Sequence, residues 1–292
     1  DETPTHTPAA PANDGLPHPD DPAKRDEHLA LFELVPHEAA TFVSIASGNW
    51  NDTHVWKDGV IPNGGAQVLV SAGTTVTFDA VQTNAMKWVR VDGELDFATS
   101  VDTQMLVETV IVDPAGTLHI GTVANPIQSG VAARLVIADM GRAIDTTWDP
   151  DQLSRGLISH GTVAMQGEEV TPFLPLAVAP VRGSTQLTLD AVPVRWRVGD
   201  RLVLTGTSTD LDAKQDEELK IVAINGNTVT IDSDDAKVGT QGLKFNHTPP
   251  AGFGLKVYVA DMNRNVVVMS QNPAINDRRG HVMFMHSNKV QV

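Results

Sequence analysis

The sequence contains no cysteine in 292 residues, and this absence excludes several kinds of chemistry. Without thiols the chain can form neither disulfides nor a thiolate metal site, and it has no cysteine nucleophile. Apolar runs are also short, since none approaches the roughly 20 residues that a membrane-spanning helix needs. A chain without cysteine is more typical of an exported bacterial protein than of a small disulfide-bonded animal domain.

Basic residues are scarce as well, because 21 Lys and Arg stand against 36 Asp and Glu, for a formal net charge of −15. This balance argues against nucleic acid as a partner, since phosphate binding needs basic stripes. Capture of an anionic polysaccharide would need a local basic groove or a bound cation. The sequence has no glycine-rich phosphate loop, no Gly-x-Ser-x-Gly and no His-Glu-x-x-His motif.

One short phrase recurs along the chain: a glycine, one or two small polar residues, then apolar residues alternating with polar ones. Alternation at period two is typical of a strand, and a step of twenty-odd residues is typical of a repeat. The pattern therefore predicts an all-β fold, a parallel β-helix (solenoid) whose successive coils hydrogen-bond to each other. The copies begin at Gly73, Gly93, Gly116, Gly161 and Gly280.

The N-terminal part of the chain differs in composition from the rest. Residues 1–40 begin with a stretch rich in Pro, Asp, Thr and Ala, which predicts a disordered or loosely held tail with at most one helical turn over His28–Leu34. Strand-like runs then predict β-helix coils over residues 41–172, with a looser stretch at Gly141–Arg155. The start at Asp1 fits a mature chain whose targeting segment has been removed, or a fragment.

The rhythm of the strands changes in the second half of the chain. Residues 173–250 contain hairpin-like strands around Asn225-Gly226, a strong two-residue turn signal, and predict an inserted small antiparallel β-domain. Residues 251–292 return to coil-type strands and stop on the strand-like Lys289–Val292 without a capping element. Because terminal repeats normally need a polar cap, this predicts a truncated solenoid, or one that pairs with its own C-terminal portion or another chain.

Several short segments, taken in order, resemble a known family. The segments are Ser47–Asp52, Val55-Trp56, Ala72–Val76, Ile158–Val163, Trp196–Arg201, Asn263–Val267 and Arg279–Met285. Their order and spacing are similar to those of the eight-glycine (G8) domain, found in fibrocystin, in the cell-migration-inducing and transmembrane hyaluronidases and in bacterial secreted proteins. The resemblance implies a right-handed β-helix with an inserted β-domain, an extracellular or periplasmic location, and an association with glycans that in some members extends to hyaluronan cleavage.

Two tryptophans near the start of the repeats have two interpretations. Trp50 and Trp56 are six residues apart, with Asn, Asp and His between them. If exposed, the indoles could stack on sugar rings and bind substrate. Alternatively, both close the N-terminal end of the solenoid, which must cover its first coil.

Acidic clusters offer a possible calcium site. Asp210, Asp212, Asp216 and Glu217, with Glu218 beside them, follow a strand, and oxygen-rich loops suit Ca²⁺. A second cluster comprises Asp232, Asp234 and Asp235. The alternative is that both clusters are solvated turns of an acidic protein.

Basic and histidine residues near the C-terminus are the most useful pointer to chemistry. Arg278 and Arg279 lie just before His281 and its predicted strand. Arg264 lies just before the previous predicted strand, so adjacent coils would bring the three arginines together on one flank. Guanidinium forks suit a uronate or sulfate group, and a histidine can act as general acid or base. The alternative is that the arginines pair with Asp261 and Asp277. His286 differs from His281 by an odd number, so a regular strand points the two to opposite faces; His160 precedes another coil strand.

Three functions remain open at this stage. The chain is the N-terminal segment of a secreted protein that cleaves an acidic extracellular polysaccharide, with Arg279 and His281 as catalytic candidates and with Arg264, Arg278, Arg279, Trp50 and Trp56 binding substrate. Alternatively it is a non-catalytic glycan-binding or adhesion module, or a structural piece that assembles with a C-terminal β-helix remainder. No cofactor is required beyond a possible Ca²⁺.

Overall fold

The computed structural model describes residues 22–210, 212–233, 239, 241–252, 254–285 and 289–292. The chain divides into two compact units. The first comprises residues 1–167 together with 265–292, and the second comprises residues 168–264. No helix in the described part of the chain is long and apolar enough to cross a membrane.

The described residues form mainly β-strands, with one α-helix, α1 (Pro22–Glu33). In chain order, the strands are β1 (Phe42–Val43), β2 (Gly48–Asn49), β3 (Gln67–Val70), β4 (Thr75–Phe78), β5 (Met86–Val91), β6 (Glu94–Phe97), β7 (Thr103–Val112), β8 (Thr117–Ile120), β9 (Ala133–Ile137), β10 (Gly156–Ser159), β11 (Thr162–Met165), β12 (Phe173–Pro175), β13 (Gln186–Thr188), β14 (Arg201–Leu204), β15 (Glu217–Asn225), β16 (Thr228–Asp232), β17 (Tyr258–Asp261), β18 (Val266–Ser270), β19 (His281–Phe284) and β20 (Val290–Gln291).

The strands of the first unit form two parallel sheets, between which β1 to β8 alternate. The first sheet has the order β1-β3-β5-β7-β10-β19, and β9 and β18 extend it from the N-terminal half of β7. The second sheet has the order β2-β4-β6-β8-β11-β20. Inward side chains of both sheets alternate with outward ones and form one apolar core, which includes Val68, Val76 and Leu95. The all-β class predicted from sequence is confirmed, and the named strands of this unit pair in parallel.

Four of the five copies of the glycine phrase stack directly on each other. The copies after Gly73, Gly93, Gly116 and Gly161 form β4, β6, β8 and β11, with Val76, Leu95, Leu118 and Val163 in register. The fifth copy differs, because Gly280 precedes β19, which pairs with β10 in the first sheet. A Cβ on Gly116 would lie 2.1 Å from the Val91 carbonyl oxygen, so the close approach of the backbone requires glycine there.

The N-terminal segment is more ordered than the sequence suggested. Helix α1 covers residues 22–33, and Leu31, Leu34 and Val35 pack against Trp88, Ile111 and Ile158 on the outer face of the first sheet. The helix is favoured by Pro22 at its first position and by the Ala, Lys, Arg, Glu and Leu residues that follow. The tail prediction for residues 1–40 therefore needs correction from residue 22 onward; residues 1–21 lie outside the described residues.

The second unit is built on an antiparallel sheet of order β12-β17-β14-β15-β16-β13. Its core includes Leu187, Leu202, Ile221 and Val259. The Asn225-Gly226 turn joins β15 to β16 as a hairpin, with Asn225 opposite Thr228. The unit begins at residue 168 and ends at residue 264, whereas the sequence suggested 173–250. The larger difference is at the end, because β17 pairs with β12 and β14 in this sheet rather than with a coil.

Candidate functional site

The predicted sugar-stacking tryptophans are not accessible. Trp50 and Trp56 are 0% and 2% exposed, with ring centroids 4.9 Å apart, and Trp50 also packs against Phe78. The Trp56 indole N–H donates to the Trp50 carbonyl oxygen at 2.8 Å. Their place as substrate-binding residues is therefore corrected, because both rings lie in the core of the first unit. Of the five tryptophans of the chain, Trp148 is the exposed one, at 44%.

The predicted calcium ligands do not converge. Glu217 is buried, and its carboxylate accepts the Lys244 and Phe245 backbone N–H groups at 2.8 and 3.1 Å and faces His247 Nε2 at 2.9 Å. Asp216 accepts the Gly206 N–H instead. Among the described residues, the three that bring potential ligand atoms together are Glu94, Asp96 and His119, so no three of Asp210, Asp212, Asp216 and Glu217 do so.

The second acidic cluster and the remaining histidines are accounted for in part. Asp232 accepts the Gln241 backbone N–H at 2.9 Å, and Asp234 and Asp235 lie outside the described residues. His160 is buried, with its ring 5.6 Å from that of Phe32 in α1. His286 also lies outside the described residues.

The three predicted arginines have separate partners. Arg264 belongs to the second unit, and its Nη1 donates to the carbonyl oxygens of Asp261 and Asn263. In the first unit, Arg278 pairs with Asp139 at 3.4 Å and Arg279 donates to the Pro273 carbonyl oxygen at 2.6 Å. The strands that follow, β18 and β19, pair with β9 and β10 respectively and not with each other. The expectation of adjacent coils is thus wrong, because the two strands belong to different stacks of the sheet.

His281 begins β19 directly beside β10. Its backbone N–H donates to the Arg155 carbonyl oxygen at 3.2 Å, and its partner in the ladder is Gly156. The side chain is half-buried, and this burial lowers the pKa of His281, while the Asp149 carboxylate acts in the opposite direction. Nε2 of the ring is buried and has no hydrogen-bond partner among the described residues. The imidazole is therefore held mainly neutral near pH 7.

Charged residues that the sequence did not single out surround His281. Arg155 is fully buried; its Nη1 lies 3.4 Å from the Asp277 carbonyl oxygen and its Nη2 lies 3.6 Å from Glu108 Oε1. Nε and Nη2 of Arg155 have no hydrogen-bond partner among the described residues. Asp149 is 1% exposed and accepts bonds from the backbone of Leu153 and Ser154 and from the Ser154 hydroxyl. We call Glu108, Asp149, Arg155 and His281 the Arg155 cluster.

The elements that position this cluster come from distant parts of the chain. β7 supplies Glu108 and also Thr109, whose hydroxyl accepts the Arg155 backbone N–H at 2.9 Å. The loop between β9 and β10 supplies Asp149 and Arg155. Gln152 and Arg155 in this loop have φ of +54° and +61°, a conformation that non-glycine residues adopt only where the surrounding contacts impose it.

An exposed aromatic and two exposed cations lie next to the cluster. Trp148 precedes Asp149, and the Lys87 ammonium lies 6.0 Å from the centroid of the Trp148 ring. Arg279 is exposed and lies two residues before His281. This part of the structure offers an exposed flat ring with an ammonium group beside it, and a mainly neutral imidazole near Asp149. The sequence signal for it was the Trp148-Asp149-Pro150 run in the loose stretch before β10.

Comparison with known proteins finds similarity to G8 domain proteins. Residues 55–176 match the G8 domain model. A G8 domain-containing protein of Dictyostelium discoideum is 24% identical over 86% of this chain, dog fibrocystin is 28% identical over 61%, and mouse fibrocystin-L is 22% identical over 78%. The chain spans 17%, 4% and 5% of the length of these relatives.

One solved structure also matches, at a lower level of likeness. The tailspike gp61 of Pseudomonas phage phi297 matches 71% of this chain and 26% of its own, at 16% identity and a TM-score of 0.24, which carries no weight in the assignment. The assignment rests on the sequence matches, which confirm the resemblance noted from the short segments. Residues 55–176 match the G8 domain model, and the G8 resemblance is confirmed over this part of the chain.

Proposed function

We propose that this chain is the β-helical module of an extracellular protein and binds an acidic polysaccharide on the face that carries Trp148 and the Arg155 cluster. The alternation of strands between two parallel sheets supports a β-helix, and the strong preference of parallel crossovers supports the right hand. The G8 resemblance supports the extracellular location. The unit of residues 168–264 is then an insertion between two coils.

The observation that carries the proposal is an exposed indole with an ammonium group over its ring. Lys87 lies over the Trp148 ring, and Trp148 directly precedes Asp149, whose carboxylate acts on His281. A pyranose ring stacks well on an indole, while an exposed guanidinium pairs with a carboxylate in two parallel bonds. A uronate-containing chain offers both features at each repeat, which a neutral glucan does not.

Binding is expected to depend on Trp148 and Arg279. Titration of the chain with size-defined hyaluronan, alginate and pectin fragments should show binding to at least one, and Trp148→Ala and Arg279→Ala should each weaken it about tenfold or more, within the range of interface hot spots. Arg264→Ala removes an exposed arginine from the second unit and should leave the affinity unchanged. Dextran serves as the neutral polysaccharide.

Two results would contradict this assignment. Failure to bind any uronate polymer would favour a structural role, in which the unit serves only to assemble with further β-helix. Equal loss of affinity in Arg264→Ala and Arg279→Ala would place the binding surface elsewhere.

Cleavage of the same polymer is the second candidate, and the lowered pKa of His281 favours it. A neutral imidazole can remove the proton α to a uronate carboxylate while Arg279 neutralises that carboxylate. The glycosidic C–O bond then breaks, a C=C bond forms in the uronate ring, and water protonates the departing oxygen. Hydrolysis by the same pair would instead add water across the bond and form no C=C bond.

A degradation assay distinguishes the outcomes. Ultraviolet absorbance of an unsaturated uronate indicates elimination, and new reducing ends without absorbance indicate hydrolysis. His281→Gln should abolish either activity and leave binding within about threefold of wild type, because the imidazole acts on the proton and not on the carboxylate. Binding without turnover in the wild-type chain would restrict the proposal to a glycan-binding module.

A further inference from the structure

Three potential metal ligands converge on the outer face of the second sheet, in a place that the polysaccharide proposal does not use. Glu94 and Asp96 are two apart on β6 and therefore point to the same face, and His119 on β8 lies directly opposite Asp96. His119 Nδ1 lies 2.9 Å from Asp96 Oδ1 and 3.4 Å from Glu94 Oε1. One ligand atom from each of the three lies within 4.8 Å of the others.

We propose that Glu94, Asp96 and His119 bind a divalent transition-metal ion such as Zn²⁺, Mn²⁺ or Co²⁺. One imidazole nitrogen and two carboxylate oxygens form a ligand set that these ions accept, whereas Ca²⁺ prefers oxygen alone. The side chains of Glu94, Asp96 and His119 are 38%, 31% and 24% exposed, so water completes the coordination on the solvent side. The ion replaces the proton on His119 Nδ1, which passes to solvent.

The surroundings of the three side chains suit a cation. Thr75 on β4 donates its hydroxyl to Glu94 Oε2 at 3.2 Å, which orients the carboxylate and leaves Oε1 near His119. Such outer contacts fix the geometry of metal ligands. The residues opposite on the neighbouring strands, Thr75, Thr77, Thr117 and Ala164, are uncharged. No cation from these positions competes for the two carboxylates.

The charges of the two carboxylates also favour a cation. The ligand atoms of Glu94 and Asp96 lie within 4.8 Å of each other on neighbouring outward positions of β6. Two carboxylates held this close repel each other, and a divalent ion between them removes the repulsion.

The chain offers a matched control for an ordinary histidine–aspartate pair. His54 Nδ1 lies 2.9 Å from Asp52 Oδ1, the same separation as in the His119–Asp96 pair, but Asp52 and His54 are not part of a three-ligand group. If a histidine–carboxylate pair sufficed for metal binding, His54→Ala would lower the metal stoichiometry as much as His119→Ala.

The test is a titration of the chelator-treated full chain with Co²⁺ and Zn²⁺, followed by calorimetry and by the visible absorption of coordinated Co²⁺. We expect one ion per chain, with affinity reduced at least about tenfold in His119→Ala and in Glu94→Gln and unchanged in His54→Ala. Glu94→Gln keeps the shape of the side chain, so a loss there cannot be ascribed to unfolding. Absence of a specific site in the wild type, or full affinity in both variants, would overturn the proposal, and neither outcome bears on polysaccharide binding.

Discussion

Replacing Gly116 by alanine is expected to destabilise the first unit by about 3 kcal/mol, among the larger penalties for overpacking. A Cβ at this position would lie 2.1 Å from the carbonyl oxygen of Val91 at the end of β5. Backbone cannot move aside as a flexible side chain can, because this carbonyl also accepts the Asp113 backbone N–H. Relief requires separating the stacked strands, which would weaken the ladder between β6 and β8.

The same steric argument applies to two other glycines of the repeat, Gly93 and Gly161. It does not apply to Gly73, which therefore provides the control. Cβ atoms at Gly93 and Gly161 would lie 2.2 and 2.3 Å from the carbonyl oxygens of Ser71 and Asp113. Gly73 has φ of +81°, and no atom lies within 4 Å of a Cβ added to it. Gly73→Ala should therefore lower the free energy of unfolding by only about 1 kcal/mol, the cost of alanine in the left-handed conformation. Urea unfolding followed by tryptophan fluorescence measures both variants. Equal urea midpoints for Gly73→Ala and Gly116→Ala would show that backbone conformation, and not the distance between stacked strands, makes glycine necessary at Gly116.

The strands of the first unit were predictable because their signal is local. Period-two alternation and the step between glycines depend only on nearby residues, and β6 and β8 begin directly after Gly93 and Gly116, two glycines of the repeat. The place of the fifth copy was not predictable from the same signal. Gly280 precedes β19, a strand with the same alternation. The sheet that β19 joins depends on its pairing with β10, in which His281 lies opposite Gly156, 125 residues earlier in the sequence.

Helix α1 was predicted only as one turn over His28–Leu34. Leu31 lies in the helix, and Leu34 and Val35 follow its last residue at the i, i+3, i+4 spacing of a chain that packs on one side. The Pro- and Asp-rich residues before them obscured this short pattern. The helix is stabilised by what it covers, since Trp88, Ile111 and Ile158 are apolar residues on the outer face of a sheet.

The candidate site was predictable only in part, for a physical reason. His281 and Arg279 were singled out from a local motif, and both lie at the site. Arg155 reaches it through contacts to Thr109 and Asp277, 46 and 122 residues away in sequence, which no local pattern encodes. Burial was equally inaccessible to local reasoning, so Trp50 and Trp56 were candidates for sugar binding while the exposed Trp148 was not.

The prediction with the largest expected effect concerns Glu217, whose internal contacts replace the calcium role suggested by the sequence. Its carboxylate accepts two backbone N–H groups from Lys244 and Phe245 and faces His247, which is fully buried. The other ring nitrogen of His247 lies 2.8 Å from the Thr205 carbonyl oxygen, so both ring nitrogens face acceptors. Glu217→Ala leaves two N–H groups and one ring nitrogen without an acceptor in the core of the second unit. We expect it to cost about 3–5 kcal/mol.

The adjacent residue provides a matched control for Glu217→Ala. Glu218 has the same charge but its side chain is 71% exposed, and it pairs with Arg201 at the surface. Such pairs contribute under about 1 kcal/mol, so Glu218→Ala should be close to neutral. Trp196, which is largely buried in the second unit, reports its unfolding in urea. Equal losses of stability in Glu217→Ala and Glu218→Ala would contradict a structural role for Glu217. A urea midpoint that Ca²⁺ raises in the wild type but not in Glu217→Ala would show that Glu217 binds the metal. Because the buried carboxylate already accepts two backbone N–H groups and faces His247, we expect Ca²⁺ to leave both midpoints unchanged.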